Sequence, residues 1–560
     1  MSGAGGKAGE AGRPDPRAAL PEGIRELRLA MDAEWRRLGL HRGLTLAQEL
    51  EGGAVRHPGC RLIFESEQRP AELTLPDLVE RSRRMAGALH GLGLRQGDVI
   101  AIQMPNWAET AVAYGAAAFL GAVFVPIVQI YGPSEVGYIL RAAGAKALVA
   151  PTSFRRLDYR AGLDGLGELP DLEHLIMVGP ETPDGAIDWD ELMARDDGHP
   201  APDHGPDDLA AIIFTSGTTA EPKAVQHSGN SLVAELFNGP TPPPDTPGTV
   251  SLQPFPAGHT AGLCAMLGPL AHGYDTILLD SWDAEKAARL VELHGVTAMA
   301  GTPFFIDSLL DAAEAGAGDI SSLTHGMTGG AGVPPSLIER ADAAGWPVVR
   351  CYGATEGPSM TAGSVGDPLA VRACSDGRAL PGVRVKVIDA DGQALPPGAE
   401  GEVVAIGPEQ FIGYADPAHN RDAFTAEGWL RTGDIGRLDE RGVLTITDRM
   451  KDIIIRGGEN ISSKEVEDLL LEHPAVAAAA VTGMPDQQYG ERVCAFVVRE
   501  ADRELDLELV RAHFFASGIA RQKTPERLIL VDDLPRTASG KIQKHLLRAE
   551  LAAEAGTRPC

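Results

Sequence analysis

The sequence predicts an α/β protein: a large N-terminal domain of parallel α/β sheets plus a β-rich subdomain, then a small C-terminal α/β domain. Three observations carry this. The chain has 560 residues, more than one hydrophobic core usually supports, so two or more domains are expected. Between residues 78 and 315 helical and strand patterns alternate, as in βαβ units with helices on both faces of a sheet. Beyond about residue 378 short strands parted by Gly, Pro and Asp turns take over, and residues 450–560 return to an α/β pattern of their own.

Each element has its own signal. Residues 1–20 are polar at first and rich in Gly and Ala, which predicts a disordered tail without the apolar stretch of a signal peptide. Residues 21–449 form the predicted N-terminal domain. Its helices are expected at 78–92, 109–120, 284–294 and 304–315, its strands at 98–104, 122–125, 147–150, 211–214 and 298–301, and a loop at 238–249 where Pro and Gly recur. The β-rich part should hold strands at 383–388, 401–406 and 442–447. In the C-terminal domain, 450–560, helices are expected at 464–471, 507–516 and 544–553 and strands at 475–482, 492–499 and 527–531. Residues 111–128 carry no charge, a length that reaches a membrane span. Their Ala and Gly content and Pro126 instead predict a buried helix running into a buried strand.

Charge excludes some partners. Lys and Arg number 50 against 78 Asp and Glu, a formal net charge of −28. Such a surface repels nucleic acid and anionic lipid, so an anionic ligand needs a local cationic site. Six cysteines, at 60, 264, 351, 374, 494 and 560, show no CxxC spacing. That argues against a zinc site and predicts a reducing compartment, the cytoplasm.

One loop stands out. The apolar run 211–214 leads directly into Thr215-Ser216-Gly217-Thr218-Thr219, followed by Pro222 and Lys223. Hydroxyls and loop N–H groups can wrap a phosphate chain, Gly217 permits close approach and Lys223 supplies charge. It is not a Walker A loop, which ends in Gly-Lys-Ser/Thr.

The segment resembles the phosphate-binding loop of the acyl-adenylate-forming superfamily: acyl-CoA synthetases, peptide-synthetase adenylation domains and firefly luciferase. Ala220, Glu221 and Ala224 depart from that family's Gly-x-Pro-Lys-Gly pattern. Further motifs follow in the family's order. Gly329-Gly330-Ala331 resembles the turn that contacts adenine. Tyr352-Gly353-Ala354-Thr355-Glu356 is similar to the motif whose Tyr stacks on adenine, whose Thr touches the α-phosphate and whose Glu holds Mg²⁺; a carboxylate suits a hard cation. Asp434 stands where the family accepts the ribose hydroxyls, Arg449 where it contacts ribose or phosphate, and Lys451 at its inter-domain hinge. Gly457 and Gly458 fall in the loop bordering the thiol tunnel, and Lys541, in Pro535-Arg536-Thr537-Ala538-Ser539-Gly540-Lys541, matches the catalytic lysine of adenylation. His259 lies between acyl pocket and tunnel, as a gate or a pocket wall.

The resemblance covers residues 25–550. It implies an acid–thiol ligase: ATP and Mg²⁺ activate a carboxylic acid to an acyl-adenylate, a mobile C-terminal domain rotates about Lys451, and coenzyme A takes the acyl group. A separate carrier protein is the alternative acceptor, and a non-catalytic nucleotide-binding homologue a third reading. Peptide synthetases place an Asp near His259 for the substrate's amino group, and none occurs between Phe255 and Leu263. The stretch Gly258 to Gly262 and the pair Phe304-Phe305 suggest an apolar pocket, suited to a medium-chain fatty acid first, an alicyclic or aryl acid next.

Overall fold

A computed structural model describes residues 16–195, 197–198, 204–215, 222–240, 248–456, 459–486, 489–517 and 519–554. Two large sheets and a smaller one organise them. The first sheet has eight strands, in the order Gly413–Tyr414, Lys223–Ser228, Leu209–Thr215, Val123–Ile127, Val99–Gln103, Ala145–Pro151, His174–Val178 and Ile187–Asp188. From Leu209–Thr215 onward its neighbours run parallel. The second has thirteen strands; Arg61–Glu65, Asp275–Leu279, Val250–Gln253, Ala298–Gly301, His325–Thr328 and Val348–Ala354 form its parallel part.

The uncharged stretch shows how the sheets are joined. Ala108–Leu120 is a helix buried on almost every side, and Val123–Ile127 the strand after it. No helix among the described residues is long and apolar enough to cross a membrane. Instead this helix and its neighbour Leu75–Gly91 share the largest apolar cluster with Leu62 and Phe64 of one sheet and Ile100 and Ile213 of the other. A helix that is apolar all round needs such a two-sided burial. Leu75–Gly91 starts at a reciprocal cap: the Asp77 N–H donates to the Thr74 hydroxyl at 3.2 Å, and the Thr74 N–H to the Asp77 carboxylate at 3.0 Å. Separate clusters cover the outer faces of the two sheets. The result is layers of helix, sheet, helix, sheet and helix.

The β-rich segment is not a separate body. Its strands continue the second sheet in antiparallel fashion, through Gly357–Ala362, Gly377–Ala379, Val443–Arg449, Leu430–Leu438, Glu400–Ile406 and Arg384–Ile388. Arg350 and Asp376 fasten the junction. The guanidinium donates to Asp376 Oδ1 from Nε at 2.9 Å and from Nη2 at 2.7 Å, while Oδ2 accepts the Ile446 N–H at 2.8 Å. Both side chains are buried, so the pair is desolvated and its partners are interdependent.

The C-terminal residues build a five-stranded sheet around Gly490–Arg499, with Ser463–Leu471 and Leu507–Ser517 packed on one face and Lys544–Glu554 on the other. The tail expected through residue 20 is corrected at its end. Pro16–Ala19 form a helical turn, Leu20 is buried, and Arg17 donates to Asp32 at 2.6 Å. Asn238, expected in a loop, ends the helix Gly229–Asn238; residues 241–247 lie outside the described residues.

Replacing Arg350 with Ala strands a buried carboxylate. The expected loss is about 3–5 kcal/mol, read as a lower urea midpoint in the unfolding phase that reports on the N-terminal domain.

Candidate active site

A cleft of 1630 Å³ runs between the sheets' rims and the C-terminal domain. Its nucleotide-facing wall is assembled from hairpin tips. Thr215 and Lys223 are direct cross-strand partners in the antiparallel pair Leu209–Thr215 and Lys223–Ser228. The segment expected to bind phosphate therefore joins two antiparallel strands, whereas a Walker loop leads into a helix. Ser216, Gly217, Thr218 and Thr219, with Ala220 and Glu221, lie outside the described residues. Lys223 lies over the Tyr414 ring, Nζ 4.9 Å from its centroid. The Tyr414 hydroxyl donates to Glu356 Oε1 at 2.6 Å. Lys223, Tyr414 and Glu356 thus form one wall.

Thr355 and Glu356 are the tip of a second hairpin, since Ala354 pairs with Gly357. Fully buried His227 holds that tip, its Nε2 2.8 Å from the Thr355 carbonyl. A carbonyl only accepts, so Nε2 carries the hydrogen. Burial, above all, pushes the imidazole down to about 4, which keeps it neutral.

Tyr352, on the same strand, donates its hydroxyl to Asp434 Oδ2 at 2.6 Å; Arg449 Nε reaches Asp434 Oδ1 at 2.9 Å. Asp434 and Arg449 are register partners on adjacent strands. Each carboxylate oxygen keeps a second lone pair, which suits two ribose hydroxyls. Gly330, Ala331 and Gly353 line the same cleft.

The C-terminal domain delivers Lys541 into this site. Its loop is a tight turn: the Thr537 N–H donates to the Lys541 carbonyl at 2.8 Å, the Lys541 N–H to the Thr537 hydroxyl at 3.1 Å, and Arg536 to the Gly540 carbonyl at 3.0 Å. Gly540 has φ +80°, and a Cβ there would meet the Thr302 hydroxyl and the Phe304 Cβ, both at 3.0 Å. The turn is therefore seated directly on the N-terminal domain, and glycine is what fits. Lys541 is pushed down to about 8, first by the charge of Arg449, then by burial and Lys451. Lys451 also falls to about 8, through burial and then Arg449. Three cations thus converge where a polyanion would lie.

His259 caps the helix Thr260–Leu267 and lines the cleft. Burial and then Lys541 push it down to about 4, and its Nε2 has no hydrogen-bond partner among the described residues. Its backbone is immobilised from behind. Asn106 donates to the Phe255 and Leu279 carbonyls, both at 2.8 Å, and accepts the Ala257 N–H at 2.7 Å, while Tyr114 donates to the Ala257 carbonyl at 2.9 Å. Gly457 and Gly458 lie outside the described residues.

The expected Phe304-Phe305 wall is corrected in half. Phe304 lines the cleft, with Arg536 of the C-terminal loop over its ring at 5.7 Å, but Phe305 is in the core, edge-on to Phe255 and Trp282. Consecutive helix positions point in different directions, so a pair of phenylalanines cannot both face one pocket. Sequence reasoning missed His227, Tyr414 and Asn106. Only His227 had a readable signal, an alternating register with Lys223 and Val225 on a strand.

Comparison with known proteins matches this geometry. Residues 51–415 fit the model for "AMP-binding enzyme" and residues 465–541 that for "AMP-binding enzyme C-terminal domain". The medium-chain fatty-acid–CoA ligase of Escherichia coli K12 is 35% identical over 528 residues, 93% of this chain and 92% of that one. The salicyl-AMP ligase / salicyl-S-ArCP synthetase of Mycobacterium tuberculosis H37Rv is 31% identical over 559 residues, 98% of each chain. The crystal structure of ATP-bound MatB from Rhodopseudomonas palustris superposes with a TM-score of 0.80 at 29% identity, covering 90% of this chain and 99% of that one. Two family models in order, over a cleft that gathers Tyr352, Asp434, Arg449 and Lys541, place this enzyme in the AMP-binding enzyme family, among acid–thiol ligases.

Proposed function

We propose that this enzyme activates a carboxylic acid with ATP and passes the acyl group to the thiol of coenzyme A. The observation that carries the reading is the Gly540–Lys541 turn seated against Thr302 and Phe304, in the cleft that Arg449, Lys451 and Asp434 also line. The substrate carboxylate attacks the α-phosphorus; a P–O bond forms and pyrophosphate leaves. The carboxylate is already ionised at neutral pH, so no base is needed. The barrier is repulsion between anions, and fixed cations lower it. Lys541 faces the developing charge, Asp434 and Tyr352 orient the nucleoside, and Lys223 and Thr355 orient the phosphates.

Glu356 fits a Mg²⁺ role: Tyr414 donates to its Oε1 and orients a carboxylate that would hold the ion. No cluster of three or more metal-ligating side chains occurs among the described residues, as suits an ion that relies on substrate phosphates. When bound, Mg²⁺ supplies charge neutralisation to the phosphates.

In the second step the thiol sulfur attacks the acyl carbon, forming the thioester and releasing AMP. We assign this step to a rotation of the C-terminal domain, residues 450–560, about Lys451, which withdraws Lys541 and brings the Gly457–Gly458 segment to the site. A medium-chain acid or a single-ring acid suits the cavity. The acceptor reading has one supported rival, a carrier protein, because the relative named as a salicyl-S-ArCP synthetase aligns along 98% of both chains. Free thiols at the described cysteines suit a reducing, cytoplasmic setting.

Three outcomes test the reading. Lys541→Ala should lower pyrophosphate release about 10²–10³-fold with ATP affinity largely kept; an unchanged rate would exclude the lysine from catalysis. Lys451→Pro should still release pyrophosphate yet form little acyl-CoA in a single-turnover assay, whereas equal loss in both steps would contradict the hinge. Lys541 is charged below about pH 8 in the free enzyme, so kcat/KM for adenylation should fall above that pH. Bound phosphates favour the cation, so the kcat limb should lie at higher pH. In Lys541→Arg the alkaline limb should disappear below about pH 10, because guanidinium keeps its proton.

A further inference from the structure

Beyond His259 the cleft continues inward to a floor that adenylation does not use. Glu235, on the helix Gly229–Asn238, lines it and is 7% exposed. Its Oε1 accepts the Ser359 hydroxyl at 2.6 Å, but Oε2 is buried with no hydrogen-bond partner among the described residues. Gln253, also 7% exposed and lining the cleft, donates from Nε2 to Ser251 at 2.9 Å, and its Oε1 is buried without a partner among the described residues. Two residues that line the cleft thus each keep an unpartnered buried acceptor. Leaving them bare is costly, because neither water nor a protein donor replaces the lost hydration.

The charge at this floor is one-sided. Glu235 is pushed up to about 7 by burial. Glu409 behind it rises to about 8, through burial and then the charge of Glu235. The nearby guanidiniums are committed elsewhere: Arg28 donates to the Phe411 carbonyl at 2.6 Å and to Gln410, and Arg350 to Asp376. Among the described residues no cation forms an ion pair with Glu235.

We propose that the acid bears a hydrogen-bond donor, a hydroxyl or amino group, at the end remote from its carboxylate, and that Glu235 and Gln253 receive it. The inference rests on the ligase reading. Helix Thr260–Leu267 contributes Thr260, Ala261, Cys264 and Ala265 to the same cleft.

The test uses the full chain and paired acids: benzoic, cyclohexanecarboxylic and hexanoic acids against their hydroxyl- and amino-substituted forms at the far end. Pyrophosphate release is followed with ATP and Mg²⁺. The donor-bearing acids should exceed their parents in kcat/KM by at least about tenfold, and Glu235→Leu should cut that ratio to near one. Should that variant fold poorly by thermal melting, Gln253→Leu serves, with a ratio reduced at least about threefold. Parents turned over as well as or better than their substituted forms overturn the inference and leave the ligase reading intact. So does an unchanged ratio in both variants. No release with any acid overturns both.

Discussion

Asp434 is the anion around which the site is arranged. It is 4% exposed, receives Tyr352 on one oxygen and Arg449 on the other, and faces Lys451 and Lys541. Without it three cations would share a confined space, each raising the free energy of the others. Asp434 and Asp452 both favour protonated Lys541, yet the lysine still sits well below its ordinary value. Positive charge in the cleft is thus only partly balanced by its carboxylates, which suits an anionic ligand.

The wall opposite is held by hydrogen bonds and one buried ion pair. His227 fixes the carbonyl of Thr355, Tyr414 orients Glu356, and the Arg350–Asp376 pair fastens the strand that carries Tyr352 to the one that carries Arg449. Groups that line the cleft come from hairpin tips and strand ends, some of them in register pairs, Thr215 with Lys223 and Asp434 with Arg449. The groups that hold them come from neighbouring strands.

What was legible in the sequence follows from this division. Tyr352, Asp434, Arg449 and Lys541 sit in motifs with fixed order, and the structure brings them into one cleft from three stretches, Asp434 and Arg449 sharing a pair of adjacent strands. The alternation of elements was legible too: the helix at 284–294 and the strand at 298–301 occur as Ala284–His294 and Ala298–Gly301. Tyr414 and Asn106 were not legible, because their roles arise only when a second strand or loop is laid beside them; His227 was readable only as an inward position on its strand. Phe305 misled for a related reason: adjacent in sequence to Phe304, which lines the cleft, it turns into the core. The β-rich strands were legible as part of the N-terminal domain; that they continue the parallel sheet was not, because the pairings that link them to it, such as Gly377 with Leu444 and Arg378 with Val443, join stretches far apart in sequence.

The neck of the acyl cavity has a further consequence. A Cβ at Gly258 would lie 2.3 Å from the Val128 nitrogen, and one at Gly262 would lie 2.0 Å from the Pro256 carbonyl oxygen. Backbone against backbone leaves no side chain that could yield. Natural drift has little room at this neck, since almost any substitution there disturbs the scaffold of the chemistry. The floor, by contrast, is made of side chains on a helix and two strands, which can be exchanged singly. The protein is therefore divided into a part that evolution must conserve to keep any activity and a part it can retune to change diet.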